Sequence, residues 1–294
     1  MLRHDDVSFE SPVVRQSLMP IKIGFIGLGA MGKPIAVNIV KAGFDLTVYD
    51  LREEPCQELA TLGAKVASSA RQVAELSEIV EVIVVDDDQT EQVIAGELGV
   101  IHGATPGLIV ALHSTLLPAT VRKLAALCRD KGIEVIDAPV SGGQKGAEDR
   151  QLCYMVGGEA KVLEKCRPVF ETSASHIFHL GELGTGALAK MLIQVVVGLN
   201  MIAAHECEVL CDKTRLDFKS LQEVLHVSAG QSFVLDHWLG RFKRPGEPEE
   251  VRQQRLEVFS KSLVPALELA REVGVSLPGT ALAHDLIKGV MDID

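Results

Sequence analysis

Residues 21–50, IKIGFIGLGAMGKPIAVNIVKAGFDLTVYD, decide the fold of this chain. Ile21 to Ile26 is an apolar run short enough for a buried parallel strand, and apolar periodicity predicts a helix from about Met31 to Lys41. Between them Gly27, Gly29 and Gly32 stand in the spacing G-x-G-x-x-G. Gly27 permits the tight turn out of the strand, Gly29 clears the backbone for a pyrophosphate, and Gly32 lets helix and strand pack closely. The phosphates of a dinucleotide would rest on the free N–H groups at the helix start, so Gly27, Leu28, Gly29, Ala30, Met31 and Gly32 form the candidate cofactor cradle.

A glycine fingerprint alone also occurs in plain strand-to-helix turns. Asp50 makes this one specific: it ends the next apolar strand, Leu46 to Tyr49, about twenty residues past the central glycine, where a carboxylate grips a ribose 2′-hydroxyl. A carboxylate there repels a 2′-phosphate and favours NAD, while Arg52, two residues on, leaves NADP open.

Beyond this unit the chain alternates strand and helix. Strands are expected at Ala64–Val66, Ile79–Val85, Leu108–Leu112, Ile133–Asp137, Cys153–Val156 and His176–His179, with helices at Glu53–Leu62, Ser69–Leu76, from about Gln89, and at Ala119–Lys131. That alternation means an α/β Rossmann fold, a doubly wound parallel sheet with its ligand at the C-terminal ends of the strands. Near Gly184 the pattern changes. Thr185 to Cys211 has helical periodicity and is apolar nearly all round, interrupted by Lys190, Gln194 and Asn200, which favours a long buried helix over a membrane span. The expected organisation is a loosely ordered extension over 1–19, an NAD(P)-binding Rossmann domain over 20–184, and an all-α domain for substrate and oligomerisation over 185–294. Within the last, Gly240 to Gln254 reads as an exposed loop with the start of a helix.

The 294 residues suffice for two domains, and 47% hydrophobic with 23% charged residues is ordinary globular composition. A net charge of −11 argues against nucleic acid or an anionic membrane surface as a partner. The six cysteines form no CxxC pair, which points to reduced thiols and a cytoplasmic location. Cys207, Cys211 and nearby His205 lack a second ligand cluster, so packing is expected there and no metal. Residues 1–18 carry Asp5, Asp6 and Glu10 and no continuous apolar core, unlike a signal peptide, and Met19 is a candidate functional start.

Four clusters fall where this fold places a site: Asp86, Asp87 and Asp88; His113, Ser114 and Thr115; Asp137 through Gly143; and Gly181 to Gly186 leading to Lys190. A lysine in an apolar helix is desolvated, which lowers its pKa toward the range useful for proton transfer. Gln194 shares its face one turn later. Ser141, Gly142 and Gly143 offer a hydroxyl and exposed backbone N–H groups that suit a carboxylate.

Five ordered motifs, GFIGLGAMGKPIA, STLLP, DAPVSGGQKGA, GTGALAK and FSKSL, resemble the β-hydroxyacid dehydrogenase family, with its 6-phosphogluconate dehydrogenase-type NAD-binding domain, over about Ile21 to at least Pro278. The family includes 3-hydroxyisobutyrate dehydrogenase and tartronate semialdehyde reductase. The resemblance implies a homodimer or homotetramer with the active site between a Rossmann and a helical domain. It implies Lys190 as the catalytic general acid/base, Ser141, Gly142 and Gly143 on the carboxylate of a small substrate, Thr115 beside the nicotinamide with Val85 and Asp86 along the cofactor, and Lys261 closing over it. Gln194 stands where the family has asparagine, Ser262 where it has aspartate, and three aspartates replace an apolar pair or Leu-Pro after the fourth strand.

Those aspartates have two readings. Asp88 with Glu91 makes a capping box for the next helix, or Asp86 and Asp87 line the cleft and favour a cationic group such as the oxidised nicotinamide or an imine. The expected activity is NAD(P)-dependent interconversion of a small β-hydroxy acid and its semialdehyde or keto acid. The alternatives are an imine reductase-like enzyme and a dinucleotide-binding protein with little catalysis.

Overall fold

The structure, a computed structural model, describes residues 21–244 and 246–290. The extension expected over 1–19 lies outside them. The first half runs β1 (Lys22–Ile26), α1 (Gly32–Lys41), β2 (Asp45–Tyr49), α2 (Glu53–Thr61), β3 (Lys65–Val66), α3 (Ala70–Glu75), β4 (Ile79–Val82), α4 (Asp87–Ala95), β5 (Ile109–Leu112), α5 (Pro118–Arg129) and β6 (Glu134–Asp137). It continues through β7 (Val140–Ser141), α6 (Gly143–Glu148), β8 (Leu152–Gly157), α7 (Ala160–Phe170) and β9 (Ala174–Gly181). The rest of the described chain is helical: α8 (Thr185–Thr214), α9 (Phe218–His226), α10 (Phe233–Asp236), α11 (Glu249–Lys261), α12 (Val264–Glu272) and α13 (Pro278–Val290).

Among the described residues nine strands form one sheet in the order β3-β2-β1-β4-β5-β6-β8-β7, with β9 on β8. Strands β1 to β6 pair in parallel, as the alternation of strand and helix requires. Strands β6 and β7 meet β8 antiparallel, a departure from a wholly parallel sheet. The cause is local: β7 and β8 are separated only by the six-residue α6, too short a connection for a parallel crossover. One apolar layer, including Ile23, Phe25, Ile35, Leu46, Tyr154 and Phe170, fills one side of the sheet, and a second, including Val73, Val80, Val110, Leu112, Val121 and Leu124, fills the other. Two covered faces explain why β1, β4 and β5 read as continuous apolar runs.

One expectation is corrected. Helix α8 is not buried all round: by length and composition it could cross a membrane, yet only 28% of its most apolar stretch is buried, and Leu192, Val196 and Leu210 are more than half exposed. Its inner face packs through Met201, Ala204 and Cys211 with Trp238 and Leu256 in a third core. The expectation of a loop with the start of a helix over Gly240–Gln254 agrees with α11 beginning at Glu249, where Glu249 and Glu250 enter the first turn and suit the helix dipole.

Candidate active site

The glycine loop joins β1 to α1. Gly27 has φ +95°, and a Cβ there would lie 2.1 Å from the Ile83 carbonyl oxygen. A Cβ on Gly32 would lie 1.9 Å from the Gly27 carbonyl oxygen, so both glycines are needed for close packing. At Gly29 a Cβ would meet nothing within 4 Å: that side of the loop is open to a ligand. Leu28 is buried, Ala30 exposed and Met31 half-buried, and α1 begins without a side-chain cap. These residues fit the diphosphate of a dinucleotide. A cleft of about 520 Å³ lined by Leu28, Gly29, Ala30, Lys33, Arg52 and Gln144 runs along the loop to α6.

Asp50 follows β2 and reaches back to this loop. Its carboxylate accepts from the Leu28 N–H at 2.6 Å, from the Arg52 N–H at 2.9 Å and from Arg52 Nε at 3.1 Å. Arg52 Nη2 also donates to the Leu28 carbonyl at 3.1 Å. Partial burial pushes the Asp50 carboxyl up, but hydrogen bonds from Arg52 and Leu28 outweigh it and hold the group below the usual carboxylate range.

After β4, Val85 is 79% exposed and Asp86 is exposed. The cap of α4 is Asp86, whose Oδ1 accepts from the Gln89 N–H at 2.8 Å, so the expected cap at Asp88 is corrected by two residues. Gln89, not Glu91, answers it by accepting from the Val85 N–H at 3.3 Å, and Glu91 pairs instead with Lys123. Asp87 accepts from the Leu117 N–H at 3.2 Å and ties α4 to the start of α5. After β5, the Ser114 hydroxyl accepts from the Val84 N–H at 2.8 Å, which fixes the loop holding half-buried Thr115 against the exit of β4.

The third group lies at the end of β6. Ser141, Gly142 and Gly143 are half-buried, and both glycines have positive φ, +141° and +66°. Side chains disfavour such a backbone, which is why glycine stands at both positions. Lys190, in the second turn of α8, donates from Nζ to the Val140 carbonyl at 2.9 Å, and Gln194 lies half-buried one turn later. Asp137, 1% exposed, accepts from the Gly184 N–H through Oδ1 and from the Ala187 N–H through Oδ2, each at 2.7 Å. Burial pushes the Asp137 carboxyl up while these N–H groups act against that rise.

The structure thus draws Asp50 and Arg52 to the glycine loop, and Lys190 to the Ser141–Gly143 loop. Lys261 ends α11 on the surface, 3.0 Å from Glu257 of its own helix. The sequence reading assigned no role to Glu81. It lies in mid-sheet, 1% exposed, with Oε2 3.4 Å from Nε2 of buried His113, whose Nδ1 is 2.7 Å from the Ala138 carbonyl oxygen. An acid inside the apolar run IVEVIVV was the available signal.

Residues 22–181 match the NAD binding domain of 6-phosphogluconate dehydrogenase, and residues 184–292 match the NAD-binding region of NADP-dependent 3-hydroxyisobutyrate dehydrogenase. The chain belongs to the β-hydroxyacid dehydrogenase family. It is an NAD(P)-dependent oxidoreductase. Among its relatives, 2-(hydroxymethyl)glutarate dehydrogenase of Eubacterium barkeri is 35% identical over 92% of this chain and 89% of its own length. The 3-hydroxyisobutyrate dehydrogenase of Pseudomonas aeruginosa is 34% identical over 90% of each chain. A solved Mycobacterium tuberculosis 3-hydroxyisobutyrate dehydrogenase with L-serine superposes with a TM-score of 0.79 at 29% identity, over 93% of this chain and 95% of that one. An imine reductase from Myxococcus stipitatus, at 21% identity and a TM-score of 0.59 over 92% of this chain and 94% of its own, shares the fold.

Proposed function

We propose that this member of the family interconverts a small β-hydroxy acid and its semialdehyde or keto acid, with Lys190 as general acid/base. The observation that carries the reading is the Lys190 Nζ bond to the Val140 carbonyl, one residue before Ser141. It sets a proton donor beside the segment Ser141–Gly143. Ser141, Gly142 and Gly143 hold the substrate carboxylate, and Gln194 offers its amide to the substrate one turn along α8. Bound NAD(P) supplies or accepts the hydride. Lys190 then gives a proton to the carbonyl oxygen in reduction and removes one from the hydroxyl in oxidation. The relatives named for hydroxymethylglutarate and 3-hydroxyisobutyrate support a hydroxy-acid substrate.

In this reading Gly27 to Gly32, Asp50, Arg52, Val85, Asp86 and Thr115 hold the cofactor, NAD is preferred through Asp50, and Lys261 covers it. A division into a Rossmann domain over 20–184 and a helical domain over 185–294 is supported by β9 ending at Gly181 and by the helical character of the described residues from Thr185 onward. The exposed apolar side chains of α8 support a homodimer or homotetramer, not a membrane span, because Lys190 and Gln194 lie on the same helix. Six free cysteines support a cytoplasmic location.

The test is oxidation of NADH and NADPH with a panel of small semialdehydes, keto acids and cyclic imines, for the parent and Lys190→Ala. We expect a carboxylate-bearing carbonyl to turn over, and Lys190→Ala to lower kcat by roughly 10²–10⁴ with NADH affinity kept. Imine turnover insensitive to Lys190 would overturn the reading.

A further inference from the structure

The five residues Asp137 to Ser141 are a hub. Asp137 receives two backbone N–H groups from the first turn of α8, the Ala138 carbonyl lies 2.7 Å from His113 Nδ1, the Pro139 carbonyl accepts from the Met155 N–H at 3.1 Å, and the Val140 carbonyl accepts from Lys190. Helix α8 starts without a side-chain cap from its own N-cap residue, Gly184. A carboxylate 47 residues earlier in sequence does that work from inside the protein. A serine or aspartate at position 184 could not replace it: the position is buried at φ +94°, and a cap side chain reaches the N–H groups two or three residues on, not its own, so only a remote acid holds both.

The room around that carboxylate is specific to it. A Cβ on Gly157 would lie 2.5 Å from Asp137 Oδ1, and one on Gly186 would lie 2.9 Å from Oδ2 and 2.3 Å from the Met155 carbonyl oxygen. Glycine at both positions lets the strand end and the helix start approach to hydrogen-bonding distance. Lys190 follows Ala187 by three residues, so the bond that fixes the Ala187 N–H fixes the turn from which Lys190 projects.

We infer that Asp137 is the positioning residue for Lys190: it clamps the first turn of α8 onto the end of β6 and so sets the Lys190 ammonium against the Val140 carbonyl beside the Ser141–Gly143 loop. The proposal rests on Lys190 as the proton-transfer group. Asp137 touches neither substrate nor cofactor in this role. It acts through the helix.

Competitive acetylation with acetic anhydride, read by mass spectrometry, reports Lys190 directly, with Lys145 and Lys165 on α6 and α7 as internal references. In Asp137→Asn one oxygen becomes an N–H₂ that cannot accept from the helix. The Lys190 labelling rate relative to the references should then change at least about threefold while NADH affinity holds, and kcat should fall roughly tenfold or more, with the smaller change in KM. Asp137→Glu, which keeps the charge but moves it by a methylene, should shift Lys190 labelling in the same sense, and it serves if the asparagine variant does not fold. In a Lys190→Ala background, Asp137→Asn should cost less than about twofold further, because two residues acting as a unit are not additive. Unchanged Lys190 labelling in a folded variant, or losses that multiply in the double variant, would overturn the positioning role. Full turnover by Lys190→Ala would instead overturn the assignment of Lys190, and the labelling would still decide whether Asp137 places it.

Discussion

At the scale of single residues, Asp50 and Arg52 act as one unit. The guanidinium lies on the carboxylate and also on the Leu28 carbonyl, so the negative charge at the end of β2 is partly compensated before a cofactor arrives. Arg52 is exposed and keeps donors available for a 2′-phosphate. We expect Arg52→Ala to raise KM for NADPH about tenfold, near 1.4 kcal/mol, and KM for NADH less than twofold. Equal effects on both cofactors would show that Arg52 only supports the Asp50 carboxylate.

Glu81 and His113 form the other residue-scale unit. The Ala138 oxygen can only accept, so His113 Nδ1 carries the hydrogen, and the remaining ring nitrogen faces Glu81 across 3.4 Å. Neither Glu81 oxygen nor His113 Nε2 has a hydrogen-bond partner, so the contact leaves polar atoms unsatisfied in the core. Glu81→Ala opens a cavity in mid-sheet and should cost about 2 kcal/mol or more. Glu81→Gln, whose amide can donate to Nε2, should cost markedly less. Urea unfolding of the two variants measures the difference, and equal losses would mean that packing alone holds this part of the core.

At the scale of elements, the segment between Phe242 and α11 is strapped down from α11. Arg255 reaches Glu247 at 2.6 Å and the Phe242 carbonyl at 2.6 Å. The side-chain hydrogen bond from Arg255 holds the Glu247 carboxyl below its usual range, against the desolvation that would raise it. A carboxyl lowered in the folded state stabilises above its unfolded pKa, and that contribution is lost as pH falls through the lower folded value. Glu247→Gln should then lower Tm by a few degrees at neutral pH, and the gap should close as the pH drops below about 4. A gap constant with pH would mean that the strap holds through shape and not through charge.

At the scale of the whole molecule, α8 carries the site on one part of its surface and an apolar, solvent-facing row, Leu192, Val196 and Leu199, on another. In the proposed oligomer this row would supply the association face, as exposed apolar surface often does. Val196→Lys should shift the protein to a smaller assembly in light scattering. A parent that is already monomeric would refute the assembly.

The sequence by itself determined the α/β alternation, the glycine loop with Asp50, the change to helices after Gly184, and the family. Each rests on spacing within a few residues or on ordered motifs, and such signals are written locally along the chain. Tertiary structure decided what local spacing does not encode. Asp86 caps α4 because the chain leaves β4 after Val82, sooner than the apolar run through Val85 suggested. β7 and β8 run antiparallel because a single short helix joins them. The face of α8 left in solvent depends on where the third core ends, and the partner of Asp137 lies 47 residues away. A carboxylate in the sequence shows its charge. What it holds is set by which backbone N–H groups the folded sheet brings within 2.7 Å.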